Sequence, residues 1–82
     1  MTYPEFAKSR PVLFGQIVCN GKVKIGEFRP SWNRWSNSAT YQYFTPKGKK
    51  GAGGFTLQRA FKLFSTGQLT TNPEHGKPEN YL

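Results

Sequence analysis

The chain has 82 residues, with twelve Lys and Arg, four Glu, no Asp and a formal net charge of +8. A chain of this length forms one small domain that buries roughly 60% of its unfolded surface. A single cysteine and a single histidine exclude an intrachain disulfide and a cysteine-rich zinc site, and we expect no metal and no other cofactor.

Residues 1–11 are predicted to be an extended basic arm. They contain two prolines and the cations Lys8 and Arg10. Basic arms often lie along a nucleic-acid groove, and a frayed terminus is the alternative.

A β-hairpin is predicted next, with strands over residues 12–19 and 22–29. The two strands flank Asn20-Gly21, the dipeptide that best suits a type I′ turn because both positions need a positive φ. A two-residue turn sets the register, so that Cys19 lies opposite Lys22 and Gly15 opposite Gly26.

Alternation along this hairpin predicts an apolar face and a basic face. The basic face carries Lys22 and Lys24, and the apolar face carries Val12, Phe14, Val18, Val23 and Ile25. Strict alternation would leave Phe28 on the basic face, so we expect a bulge at Gly15 or Gly26 that returns it to the core. Alternatively, both faces are partly covered.

Two tryptophans follow Pro30, which is expected to end the second strand. Trp32 and Trp35 flank Arg34 in a polar segment, and we predict that one tryptophan is buried and the other exposed.

A third strand is predicted over residues 39–45, and it places Tyr41 and Tyr43 on one face. The tyrosines either face outward, where they could stack on bases, or form the core beneath a helix.

Pro46 closes the third strand, and the segment 47–54, which is rich in lysine and glycine, is predicted to be an irregular loop. A helix is predicted over residues 56–66, with Thr56 as N-cap, Gly67 as the stop, and an apolar stripe at helical spacing. The alternative to this helix is a fourth strand, in which Phe55, Leu57, Phe61 and Leu63 alternate. Residues 67–82 have the composition of a flexible tail.

The predicted fold is therefore a small α+β domain over residues 12–66: a three-stranded antiparallel sheet with one C-terminal amphipathic helix on one face. Over about residues 32–65, the strand, the YQYFTPKGK turn, the glycine-rich stretch and the helix resemble the arm-binding domains of phage integrases. This resemblance is architectural, and it implies a DNA-binding fold.

Catalysis is not predicted. The four glutamates are scattered and His75 lies in the tail, so no acid–base pair is apparent. The glycine loop also lacks the residues of a P-loop or of a dinucleotide fingerprint, since Phe55-Thr56 follows its last glycine.

We therefore predict a non-enzymatic nucleic-acid-binding protein, a regulator or accessory factor that contacts phosphates, with DNA favoured over RNA. Lysines and glycine amides at the start of a helix make a site for an anion. The predicted contact residues are Lys22, Lys24, Arg34, Lys47, Lys49, Lys50, Gly53 and Gly54.

The alternative is a small inhibitor or adaptor, such as a phage-encoded protein that blocks a host enzyme, bound to an acidic protein surface. Its contact residues would be Trp32, Trp35, Tyr41 and Tyr43. Homodimerisation remains open. No apolar segment suggests a signal peptide or a membrane span, so we expect a cytoplasmic protein.

Overall fold

The fold is a five-stranded antiparallel sheet with two short α-helices, in a computed structural model that describes residues 1–81. The strand order is β4-β3-β2-β1-β5. The elements in chain order are α1 (Tyr3–Ser9), β1 (Leu13–Cys19), β2 (Lys22–Asn33), β3 (Ser38–Phe44), β4 (Lys50–Thr56), α2 (Leu57–Ser65), β5 (Leu69–Thr70) and two 3₁₀ helices, Pro73–Gly76 and Pro78–Tyr81. The predicted three-stranded sheet with one helix is wrong, although the mixed α+β class holds.

The β1–β2 hairpin has the predicted turn and register. Asn20 and Gly21 have φ values of 52° and 76°, as a type I′ turn requires. Cys19 pairs with Lys22 and Gly15 pairs with Gly26. Local turn chemistry was therefore sufficient to predict this pairing.

The core lies on the opposite face of the hairpin from the one predicted. Leu13, Ile17 and Phe28 are buried, whereas Val18 and Val23 are each 56% exposed. Phe28 needs no bulge at Gly15 or Gly26, because the β1–β2 pairing runs without a shift. We call the face of Leu13, Ile17 and Phe28 the inner face and the opposite face the outer face.

The N-terminal segment is a helix rather than an extended arm. Thr2 and Glu5 form a reciprocal capping box, in which Thr2 accepts from the Glu5 amide and Glu5 accepts from the Thr2 amide. The buried Phe6 ring packs against Phe61 and Phe64 of α2 at centroid distances of 5.3 and 5.5 Å. Because Phe6 completes the core, α1 is part of the domain.

Tyr41 joins three elements in this core. Its ring is 1% exposed and stacks on Phe6 of α1 and on Phe55 of β4. Its hydroxyl donates to the Pro11 carbonyl at 2.7 Å, which ties down the segment between α1 and β1. Burial raises the pKa of Tyr41 to about 12.

The glycine-rich segment forms the edge strand β4 instead of a loop. Gln42 of β3 donates hydrogen bonds from its side-chain amide to the carbonyls of Gly51 and Gly53, and the β3–β4 register shifts between Gln42 and Phe44.

Contrary to the prediction, strand β2 does not end at Pro30 but continues to Asn33, because its pairing with β1 has already ended at Phe28. Beyond Phe28, the side of β2 that faces β1 has no partner strand, so the N–H group that Pro30 lacks is not needed for pairing with β1.

The helix α2 agrees with the prediction. Thr56 is the N-cap and accepts a hydrogen bond from the Arg59 amide at 3.3 Å, and Gly67 follows the C-cap with a φ of 80°. The apolar residues of α2 pack on the inner face, and Ala60 is buried among them.

The C-terminal segment packs on the sheet and is not a flexible tail. Leu69 is buried and pairs with Gly15, and Gly76 is buried beside Phe14 and Gly26. A Cβ atom on Gly15 would lie 2.5 Å from the Gln68 carbonyl oxygen. The contact between β1 and β5 therefore requires glycine at this position.

The substitution Gly15→Ala should detach the C-terminal segment. Relieving the clash with the Gln68 backbone should cost about 1–3 kcal/mol, and hydrogen exchange should show lost amide protection around Leu69 and Thr70. Gly48→Ala is the control: its Cβ would meet no atom within 4 Å, and its φ of 85° would strain only the turn between β3 and β4, so protection around Leu69 and Thr70 should not change. Equal protection in the wild type and in Gly15→Ala would contradict the packing described above.

Tyr41 should make stability depend on alkaline pH. An unfolded tyrosine ionises near pH 10, whereas folded Tyr41 keeps its proton until about pH 12. The free energy of unfolding should therefore fall between pH 10 and 12, because only the unfolded state has lost the proton. In urea titrations, the free energy of unfolding should fall less for Tyr41→Phe than for the wild type between pH 10 and 12. Below pH 9, the difference in the free energy of unfolding between the two proteins should be constant. Parallel curves up to pH 12 would exclude the effect.

Candidate nucleic-acid interface

Five predicted lysines lie at one end of the sheet. In an antiparallel sheet, the turn between β1 and β2 and the turn between β3 and β4 lie at the same end of the strands. This end of the sheet, which we call the lysine end, carries Lys22, Lys24, Lys47, Lys49 and Lys50. Topology thus brings together cations that are far apart along the chain.

Lys24 has a structural contact that the other four lysines lack. Its ammonium donates to the Ala52 carbonyl of β4 and lies 5.7 Å from the centroid of the Tyr43 ring. The side chains of Lys22 and Lys24 both project from the inner face, because Lys24 pairs with Ile17 and Lys22 pairs with Cys19. The predicted outer basic face of the hairpin is therefore wrong.

The predicted phosphate cradle at the start of α2 does not form. Gly53 and Gly54 lie within β4, and Gly54 pairs with Gln42 of β3. The lysine end is at the other end of β4. Lys50 and Thr56 pair with Phe44 and Thr40 of β3, so they lie roughly 13 Å apart at about 3.3 Å per residue of β3. The lysines and the helix N-terminus are therefore separate features.

The turn between β2 and β3 exposes both tryptophans. Trp35 is 100% exposed and Trp32 is 54% exposed, so the prediction that one is buried is wrong. The Asn33 side chain accepts from the amides of Trp35 and Ser36 at 2.9 and 3.3 Å, which orders the turn. Arg34 is exposed beside Trp35.

An open groove on the outer face connects these two ends. It has a volume of about 650 Å³ and runs along β3 and β4 from Lys50 to Arg34 and Trp35. We call it the outer groove, and its lining includes the outer-face residues Ser31, Thr40, Gln42, Gly54 and Thr56. The outer groove thus has a polar floor, a cation at each end and an exposed indole.

Sequence reasoning missed the residues of this floor. Thr40, Gln42 and Thr56 become neighbours only because β4 pairs with β3. The glycines of β4 masked that strand, although they are needed there: a Cβ on Gly54 would lie 2.5 Å from the Tyr41 carbonyl oxygen. The alternation of Phe55 with polar neighbours was the one signal available.

The tyrosines predicted as contacts lie on the inner face. Tyr41 is in the core, and the hydroxyl of the half-buried Tyr43 donates to the Ile25 carbonyl at 2.9 Å. Tyr43 also packs on Phe28, with ring centroids 5.3 Å apart. Of the two arrangements considered for the tyrosines, the core position is the one observed.

Most of the basic side chains have no acidic partner. Within residues 1–81 only two of the twelve Lys and Arg side chains lie within 4.0 Å of a carboxylate: Arg29 next to Glu27 at 2.7 Å and Lys77 next to Glu74 at 3.1 Å. Each carboxylate raises the pKa of its partner. The other ten cations are Lys8, Arg10, Lys22, Lys24, Arg34, Lys47, Lys49, Lys50, Arg59 and Lys62.

Comparisons with protein-family models, with curated proteins and with solved structures found no match for this chain. The α-helices among residues 1–81 are all too short to cross a membrane. In the same residues, His, Cys and Glu side chains form no group of three that could ligate a metal ion.

Replacement of Trp35 should leave stability nearly unchanged. Because the indole is fully exposed, Trp35→Ala should alter the free energy of unfolding by no more than about 0.5 kcal/mol, measured by urea denaturation. Phe28→Ala, which removes a buried ring, should cost about 3–5 kcal/mol or leave the chain unfolded. A loss above about 2 kcal/mol in Trp35→Ala would mean that this indole covers the core.

Proposed function

We propose that this protein is a non-enzymatic nucleic-acid-binding protein that contacts the phosphate backbone through the lysine end and Arg34. The observation that carries the proposal is the set of ten cations without a carboxylate partner among residues 1–81. Unpaired surface cations attract counterions, whose release drives binding to nucleic acid. A regulatory or accessory role in the cytoplasm is part of the proposal, with DNA favoured over RNA.

The arrangement of the charges supports the same proposal. Lys50 of the lysine end lies at one end of the outer groove and Arg34 lies at the other. Cations separated along one groove follow an extended polyanion better than they enclose a small anion. Most phosphate contacts position a nucleic acid without reading its sequence, so we expect broad sequence tolerance.

Binding should weaken steeply with salt. If Lys22, Lys47, Lys49, Lys50 and Arg34 each neutralise one phosphate, log K should fall against log salt with a slope of about −4.5 for duplex DNA and about −3.5 for a single strand. Fluorescence anisotropy of labelled DNA and RNA between 50 and 200 mM salt measures this slope.

A pair of charge variants localises the contact. The triple replacement of Lys47, Lys49 and Lys50 by Gln should weaken binding and reduce the slope by about 2–3. The control removes three charges from the helices instead, at Lys8, Arg59 and Lys62. Equal losses in the two variants would mean that net charge alone drives binding, and no binding at 50 mM salt would overturn the proposal.

A protein partner is the second candidate, and the exposure of Trp32 and Trp35 is the observation in its favour. Exposed tryptophans are frequent anchors of protein interfaces. Under this reading, an acidic surface would cover the lysine end. Absence of binding to every nucleic acid tested would favour this candidate.

A further inference from the structure

Resting on the proposed function, we infer that the outer groove binds a single-stranded nucleic acid, in which a base stacks on Trp35 while Lys50 and Arg34 contact phosphates. The groove combines the two elements that hold single strands: a basic track along the backbone and an exposed aromatic ring. Both elements line the same 650 Å³ groove.

Trp35 is presented for stacking by its turn. The indole is 100% exposed, so it contributes nothing to the core. The hydrogen bonds from Trp35 and Ser36 amides to Asn33 hold the backbone beneath it. A large apolar ring on an ordered polar turn is therefore available for a flat partner, and the adjacent Arg34 provides charge for the phosphate that follows.

The floor of the groove suits a flexible chain of nucleotides. Thr40 and Gln42 offer hydroxyl and amide groups in place of an apolar surface. Strand β3, from Ser38 to Phe44, gives the groove a length of roughly 20 Å, which spans at most about six nucleotides at the 3.4 Å spacing of one strand. This number lies within the range of site sizes that small single-strand-binding folds have.

Gln42 also shapes the groove. Its side-chain nitrogen is 2.8 Å from the Gly51 carbonyl and 2.9 Å from the Gly53 carbonyl, which fixes the irregular part of β4 beside Lys50. Gln42 is thus a positioning residue for this wall of the groove. The absence of Cβ atoms at these glycines keeps the wall low.

The nearest acidic group on the outer face is neutralised. Glu27 forms an ion pair with Arg29 at 2.7 Å, and the Arg29 guanidinium lies 4.3 Å from the centroid of the Phe44 ring. The carboxylate therefore repels a phosphate only weakly. Phe44 extends the aromatic character of the outer face toward β2.

A single strand fits this site better than a duplex. In a duplex each base is already stacked on its neighbours, and only base edges are accessible in the grooves. A duplex would therefore leave the face of Trp35 unused, whereas an unpaired base can stack on it without first being separated from a partner.

The test compares a fluorescein-labelled 12-nucleotide oligo(dT) with the duplex that it forms with oligo(dA). The wild type should bind the single strand more tightly, with a change in tryptophan fluorescence. Trp35→Ala should weaken single-strand binding about 5- to 150-fold, the loss expected for one stacked base. The same variant should leave duplex binding within about twofold.

Two further variants separate stacking from charge. Trp35→Phe should retain most single-strand affinity, because the ring can still stack. Lys50→Gln should weaken the binding of both the single strand and the duplex, and should lower the slope of log K against log salt by about 0.7–0.9. Circular dichroism of each variant checks that the fold is intact.

The outcomes distinguish the inference from the proposed function. Salt-sensitive binding that is unchanged in Trp35→Ala, or that is tighter for the duplex, would overturn the inference and leave nucleic-acid binding standing. No binding of either ligand at 50 mM salt would overturn both, and would point to a protein as the occupant of the groove.

Discussion

The stacking of Tyr41 between two elements on the inner face is the interaction on which the rest of the structure depends. Phe6 contacts its ring from α1 and Phe55 contacts it from β4, while its hydroxyl binds the carbonyl of Pro11. A small domain has few residues with which to bury apolar area, so a ring shared by three elements carries an unusual share of the stability. Its position also defines which face of β3 is inner.

That choice of face determines what the outer face can do. Once Tyr41 and Tyr43 point inward, Thr40, Gln42 and Phe44 must point outward, because side chains alternate along a strand. Both helices cover the inner face, and the 3₁₀ helix Pro73–Gly76 contacts the sheet at β1 and β2. The outer groove is what remains over β3 and β4. The aromatic core and the candidate binding surface are therefore two sides of the same strand.

The parts of the fold that were predicted correctly are those with local causes. Asn20-Gly21 specifies a turn and hence a register, and Thr56 with Gly67 delimits α2. The helix α1 also had a local signal in Thr2 and Glu5, but the prolines of this segment suggested an extended arm, although proline is well tolerated in a first helical turn. Strand β4 had no such signal, because its glycines favour a loop by propensity and are required by close contact with Tyr41 and Tyr43.

The sequence by itself determined the charge, the aromatic composition and the local geometry of the hairpin and of α2. It did not determine which face of the hairpin is buried, because Val18 with Val23 and Ile17 with Phe28 offer comparable apolar faces. Only the packing of α1, α2 and β4 decided between them, since burying Phe28 beneath Tyr43 and Phe55 joins it to the shared core. The same packing brought Lys50, Arg34 and Trp35 to one groove, and contacts over such sequence separations follow from tertiary structure rather than from local pattern.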